Sequence, residues 1–329
     1  MKRKSFVVIA IIFCIVTAQG LWAGGKGEAS NADGSTAWPQ KTIQVIVPFS
    51  PGGDCDFNGR AYATRLGKFL GQTVVVTNVT GNNGAVGATQ IKNAAPDGYS
   101  VLLYHSALAV GRACGTMDFG IDAFDLACIG GRDSGYAVCV NGKSPYKTLK
   151  DLVDASVKSP GKITMAAATG GMTYVIGVLL NQAGAKLDLV DLGGAAERTA
   201  GLLGGHVDAI PNPLGTSMPY IQKGEWRALA IAGKERNAKY GEVPTAEEAG
   251  YAGVEFSTNY FFAFPKGTPR EIIDKFADAC EQVYQLQDYQ TSIMDTYQQR
   301  PYFVKGKEAY DIMKTQEDII LGMKDLLTK

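Results

Sequence analysis

Histidine is nearly absent from this chain. Only His105 and His206 occur in 329 residues, which removes His-rich metal sites and leaves little material for a Ser/His/Asp triad. The six cysteines form no C-x-x-C pair, so neither a zinc ribbon nor a thioredoxin-type motif is supported. No G-x-G-x-x-G occurs, and Gly142-Lys143-Ser144, the tail of a phosphate-binding loop, has Ala137 where that loop needs its first glycine. Nucleotide binding is disfavoured. An excess of charge is missing too, since 32 Lys and Arg stand against 32 Asp and Glu. Without a basic face the chain offers no footprint for nucleic acid. What is plentiful is glycine, 40 residues, about 12% against a typical 7% or so. With 46% apolar residues a sizeable core is available, and disorder, collagen and coiled coil are excluded. The length corresponds to roughly two domains of about 150 residues.

The charge balance hides an asymmetry at the start. Lys2-Arg3-Lys4 precede an apolar run from Phe6 to Thr17 and then small residues, the pattern of a secretory signal too short to span a bilayer comfortably. Residues 1–23 are expected to be a signal peptide, cleaved after Gly20 or Ala23; an uncleaved anchor is the alternative, and Cys14 lies inside the apolar run, which disfavours a lipoprotein anchor. Its removal takes three basic residues and no acidic one, leaving 29 against 32. The mature chain is therefore mildly acidic. Residues 24–37 are small and polar and read as a flexible leader. Five scattered cysteines remain, Cys55, Cys114, Cys128, Cys139 and Cys280, read mainly as small buried apolar residues.

From Trp38 onward the pattern alternates. Ile43 to Val47, Thr73 to Val79, Val101 to Tyr104, Tyr136 to Val140, Ile163 to Ala168, Leu187 to Leu192, Val207 to Ile210 and Ala228 to Ala232 read as strands, with apolar residues at helical spacing between several of them. Such alternation predicts an α/β architecture of mainly parallel sheets with crossover helices. Near the end, Thr268-Pro269-Arg270-Glu271 predicts a capping box opening a helix whose apolar face holds Ile272, Ile273, Phe276, Cys280, Val283 and Tyr284. A second terminal helix follows with Tyr310, Met313, Ile320, Met323 and Leu327.

Chemistry is expected at two Gly-rich turns, Pro48 to Asp56 and Ala168 to Thr173, each leaving a strand and opening a helix. Ligands of open α/β sheets sit outside the carboxyl ends of strands, where helix N–H groups can bind anions. Two such turns in separate halves could face each other across a cleft. Each could equally be an ordinary turn with glycine supplying a positive φ.

The segment Pro48-Phe49-x-Pro51-Gly52-Gly53-x-x-Asp56 resembles the first signature of the substrate-binding proteins of tripartite tricarboxylate transporters, the Bug family. The likeness continues in order through Gly81 to Ala88, Pro96 to Tyr99, Pro160 to Lys162, Leu203 to Asp208, Pro244 to Tyr251 and Pro265 to Pro269, nearly all of residues 38–329. The resemblance implies a two-lobed periplasmic binding protein of the type II-like kind, closing on a small organic acid and delivering it to membrane subunits. It implies a monomer, with no enzymatic activity, cofactor, metal or nucleic-acid partner. Lobe 1 would be residues 38–137 and 259–329, and lobe 2 residues 138–258. The ligand-holding residues would be Phe49, Ser50, Gly53, Asp54, Cys55 and Asp56 on the first turn and Thr169, Gly170, Gly171, Met172 and Thr173 on the second. His105 and Ser106, with Pro211, Asn212 and Pro213, would add specificity.

The chain departs from the family at three points. Asp54 stands where the family has a small residue, Cys55 where Thr or Ser is common, and Thr77-Asn78 where a Glu-Asn pair is common. A buried anion beside Asp54 would be repelled. Either Asp54 turns outward or bonds its own turn, or the solute carries an amino or other cationic group, or is neutral, at that end. Asp56 reads as a helix N-cap ahead of a ligand contact, His206 as a solvated turn residue, and His105 as either a buried structural side chain or a pocket donor. Two other functions use the same residues: a periplasmic sensory module, and an enzyme with Cys55 as nucleophile and His105 as base.

Overall fold

The computed structural model describes residues 38–133, 135–237 and 240–328. The expected signal peptide and leader lie outside them. The chain runs β1 (Ile43–Val47), α1 (Asp54–Leu70), β2 (Val74–Asn78), α2 (Ala85–Lys92), β3 (Ser100–His105), α3 (Ala107–Ala113) and β4 (Phe124–Arg132). It continues as β5 (Tyr136–Asn141), α4 (Leu149–Lys158), β6 (Thr164–Ala166), α5 (Met172–Gln182), β7 (Asp188–Val190), α6 (Ala195–Leu203), β8 (Ala209–Pro213), α7 (Leu214–Gln222) and β9 (Trp226–Ala232). Then come β10 (Asn259–Pro265), α8 (Arg270–Tyr284), α9 (Gln287–Tyr297), β11 (Val304–Lys305), α10 (Gly306–Gly322) and α11 (Lys324–Leu327).

Two sheets result, one ordered β11-β4-β10-β3-β1-β2 and the other β7-β6-β8-β5-β9. They are mixed, which corrects the expectation of mainly parallel sheets. β1 pairs parallel with β2 and β3, and β6 with β7 and β8, but β10 runs antiparallel to β3 and β4, and β5 antiparallel to β8 and β9. The cause is the route of the chain. β4 ends at Arg132 and β5 starts at Tyr136 in the other sheet, so the incoming strand begins at the edge where its neighbours end and must run against them. β10, the first strand after the return, is reversed for the same reason. Tyr136 and Ala137, placed with the first lobe in the sequence reading, pair in the second sheet.

One carboxylate ties the two crossings together. Asp133 Oδ1 accepts the N–H of Gly135 on the outgoing segment and of Thr258 on the returning one, at 3.1 and 3.0 Å. Its N–H donates to the Thr258 carbonyl at 3.1 Å.

β10 is buried along its whole length and shows why the first sheet forms a core on both faces. Side chains alternate along a strand. Tyr260, Phe262 and Phe264 therefore pack with Tyr62 of α1 and Phe276 of α8, while Phe261 and Ala263 face the opposite layer with Met313 and Ile320 of α10. Helix α8 has the expected buried face, but the capping box does not form. The Thr268 hydroxyl donates to the Pro265 carbonyl at 2.7 Å instead of meeting a helix N–H, and the helix begins at Arg270.

Candidate functional site

Between the two sheets lies a cavity of about 820 Å³, within the range of small-molecule pockets. Three helices begin on it. Gly53, Gly171 and Gly194 are the N-caps of α1, α5 and α6, in extended backbone, and no side chain caps any of them. All three glycines line the cavity, so the first-turn N–H groups of these helices are available to an incoming acceptor.

Each N-cap glycine follows another glycine with positive φ: Gly52 at 81°, Gly170 at 77° and Gly193 at 92°. In each pair the first glycine turns the chain, and in the second and third pairs the N-cap glycine also lets a neighbour come close. A Cβ on Gly171 would lie 2.8 Å from Asn83 Nδ2, and one on Gly194 2.9 Å from Glu197 Oε2. The Gly193-Gly194 turn was not anticipated as part of the site, although it follows a strand and opens a helix just as the other two do.

Of the residues expected to hold a ligand, Phe49, Ser50, Gly53, Asp54, His105, Thr169, Gly171, Met172, Thr173, Asn212 and Pro213 line the cavity. Five of the expected residues lie elsewhere, Pro211 among them as a buried residue inside β8. Cys55 is fully buried in the core beneath α1. Ser106 is spent on structure, its hydroxyl donating to Gln316 Oε1 and accepting the Asn259 N–H. Gly170 turns the chain with φ 77° and does not line the cavity. Asp56 is the third residue of α1 rather than its N-cap. Its carboxylate accepts the Gly52 N–H, Arg60 Nε and Asn78 Nδ2, all within 3.0 Å. Burial alone would raise the Asp56 pKa, but these hydrogen bonds outweigh it and hold the carboxyl below its usual range.

Asp54 neither points outward nor bonds its own turn. Its Oδ2 accepts the hydroxyl of Tyr260 on β10 at 2.7 Å. His105 fits both of its readings, because it is buried and also lines the cavity. Burial lowers its pKa against the pull of Asp54, and Nδ1 accepts the Ala107 N–H at 3.0 Å, which leaves the proton of the neutral ring on Nε2. The ring stacks on Phe49 with centroids 4.7 Å apart. Burial, then Asp54 and Asp56, push the Cys55 thiol well above its ordinary pKa. A thiol kept protonated and out of the cavity is a poor nucleophile. His206 is exposed, as expected of a turn residue.

The largest omission is Arg198. It sits in the first half of α6, lines the cavity and is only 7% exposed. Nη1 donates to the Gly193 carbonyl at 2.9 Å, while Nε is buried with no acceptor. Burial lowers its pKa against the pull of Tyr136, Asp54, Asp191 and Glu197, yet arginine stays protonated in proteins. Asn212 Oδ1 is a second buried atom without a partner on this wall. Asp191 joins two of the helix starts, accepting the Thr169 N–H at 2.9 Å and the Gly193 N–H at 2.8 Å. Asn83, in left-handed backbone with φ 53°, reaches from the first sheet's side and donates to the Thr169 carbonyl at 2.7 Å.

Among the described residues no cluster of His, Cys, Asp and Glu could hold a metal ion, and no helix is long and apolar enough to cross a membrane. The five described cysteines form no disulfide with one another.

A family model described as the tripartite tricarboxylate transporter family receptor matches residues 59–319. The chain belongs to that family. Among its relatives, protein BugT of Bordetella pertussis is 32% identical over 263 residues, covering 77% of this chain and 79% of BugT. A solved structure of a periplasmic transporter is 32% identical with a TM-score of 0.82, covering 88% of this chain and 98% of its own. The periplasmic binding protein BugD is 27% identical with a TM-score of 0.80, over 89% and 99% of the two chains. The two mixed α/β sheets are thus the two-lobed fold of periplasmic binding proteins.

Proposed function

We propose that this member of the receptor family is an exported solute receptor that closes on a small organic acid and hands it to membrane subunits of its transporter. The lobes would meet at the crossings beside Asp133, Gly135 and Thr258. The observation that carries this reading is the Arg198 guanidinium, buried in a cavity wall without an ion-pair partner among the described residues and set beside uncapped helix starts. Buried charges are almost always paired. A solute carboxylate would supply the missing partner, and first-turn N–H groups would complete its shell by charge-assisted hydrogen bonds.

A thermal-shift screen of the mature protein against di- and tricarboxylates, amino acids and aromatic acids tests the reading, because a ligand that binds only the folded form raises the midpoint. At least one acid should do so. A shift with neutral solutes alone would overturn it. Copurification with a transporter membrane subunit rather than a receptor kinase would separate delivery from sensing.

A further inference from the structure

The cavity is electrically lopsided. On the wall of the second sheet, α5 has no acidic residue in its first turn. The Asp191 bridge links its turn to Gly193, whose carbonyl in turn accepts from Arg198. Asp191 is thereby engaged by main-chain amides, and Glu197, the other acid on this wall, is exposed at the start of α6. Arg198 keeps Nε unpartnered and makes no ion pair among the described residues. On the wall of the first sheet, α1 opens with Asp54 and Asp56. Asp56 is consumed by Arg60, Asn78 and Gly52. Asp54 lines the cavity; its Oδ2 accepts from Tyr260, and its Oδ1 accepts no hydrogen bond among the described residues. Burial lowers the pKa of the His105 ring on the same wall, which favours its uncharged form. Asp54 and Arg198 feel each other electrostatically but do not touch.

Building on the organic-acid reading, we propose that the two walls form opposite poles of one site, Arg198 and the bare start of α5 for a carboxylate and Asp54 for a cation, and that the selected solute is a zwitterion, an acid bearing an ammonium group. A carboxylate seated at Arg198 leaves the far end of a small solute facing Asp54. A second carboxylate there meets a like charge in a partly desolvated site, whereas an ammonium meets its partner. Asn212 Oδ1 is a further acceptor for an amine hydrogen. The site should therefore reject compact di- and tricarboxylates that lack an amine.

Calorimetric titration of the mature protein with glutamate, 4-aminobutyrate, glutarate and citrate tests this, on the wild type and on Asp54→Asn and Arg198→Gln. Asparagine can still accept the Tyr260 hydroxyl, so Asp54→Asn keeps its packing. An amino-bearing acid should bind the wild type at least about tenfold more tightly than glutarate or citrate, a charge-assisted hydrogen bond's worth. Asp54→Asn should shrink that ratio to about threefold or less, and Arg198→Gln should weaken every acid. Equal binding of glutarate and glutamate, or an unchanged ratio in Asp54→Asn, overturns the proposal and leaves the acid receptor standing. No binding by any acid, in this set or in the wider screen, overturns both. If the two substitutions shift the ligand-free unfolding midpoint non-additively and leave selectivity alone, the two groups serve each other and the proposal fails.

Discussion

The turn after β1 and the turn after β6 are built alike and behave oppositely. Each has a left-handed glycine followed by a glycine N-cap, and each opens a helix onto the same cavity. The first is braced around a carboxylate of its own helix: Asp56 gathers Gly52, Arg60 and Asn78 of β2, Asn78 reaches the Phe49 carbonyl, and Tyr297 of α9 donates to the Gly52 carbonyl. The second is braced from outside by Asn83 and Asp191, with the Thr173 hydroxyl accepting the Ala168 N–H. Acids already answer the dipole of α1, while that of α5 is unanswered. A glycine pattern thus locates a binding turn without fixing its sign; neighbouring side chains do that.

The sharpest way to break this contrast is to remove the cation on the α5 side. Arg198→Met should weaken the best-bound acid by about 10- to 100-fold, the value of a charge-assisted hydrogen bond or two. Relieved of an unpaired buried charge, the ligand-free protein should at the same time become more stable, by about 1 kcal/mol or more in urea unfolding. A variant that loses stability would mean that Arg198 is structural.

Next in size is a pair of matched substitutions. Gly171→Ala drives a methyl to 2.8 Å from Asn83 Nδ2 and 3.1 Å from the Ala168 carbonyl, whereas Gly53→Ala meets only the Ser50 carbonyl, at 3.5 Å. The former should cost about 1–3 kcal/mol and the latter under about 0.5 kcal/mol. Similar denaturation midpoints for the two would show that the turns are braced alike.

The crossing between the lobes should contribute a pH dependence of its own. Burial raises the Asp133 pKa from 3.8 to about 7, against the hydrogen bonds from Thr258 and Gly135. Between those values the folded state holds a proton that the unfolded chain has released, so stability should fall as pH rises from about 4 to about 7 and then level off. Asp133→Asn should flatten that slope in melting curves taken across this range. Smallest of all, Thr173→Val strips the Ala168 N–H of its acceptor and should cost about 1 kcal/mol. A neutral result would mean that Asn83 and Asp191 alone hold the second turn.

Much of this was legible in the sequence, and what was not has physical reasons. Runs such as Ile43-Gln44-Val45-Ile46-Val47 declare strands because β-branched residues suit a pleated sheet. β4 escaped notice because Asp125, Gly130 and Gly131 interrupt it, and β10 because aromatic residues and a terminal proline replace the β-branched run. The two glycine turns were found because their conformation demands the residue. Arg198 could not be found that way. In Ala195-Ala196-Glu197-Arg198-Thr199 it reads as a solvated helix face, and only packing against the rest of the cavity buries it. Cys55, Asp56, Ser106 and Gly170 were misplaced for the converse reason. Adjacency in a loop does not say which side of the backbone a group takes.

Three Gly-capped helix starts on one cavity also bear on how such a receptor can diverge. Donors that belong to the main chain do not depend on side-chain identity, proline excepted, so while the turn glycines are kept this part of the wall changes little. A descendant that accepts a different solute must change at the few side chains projecting among those helix starts, Asp54, Arg198 and Asn212 foremost. New ligands would then arise by editing a handful of positions on an unchanging frame.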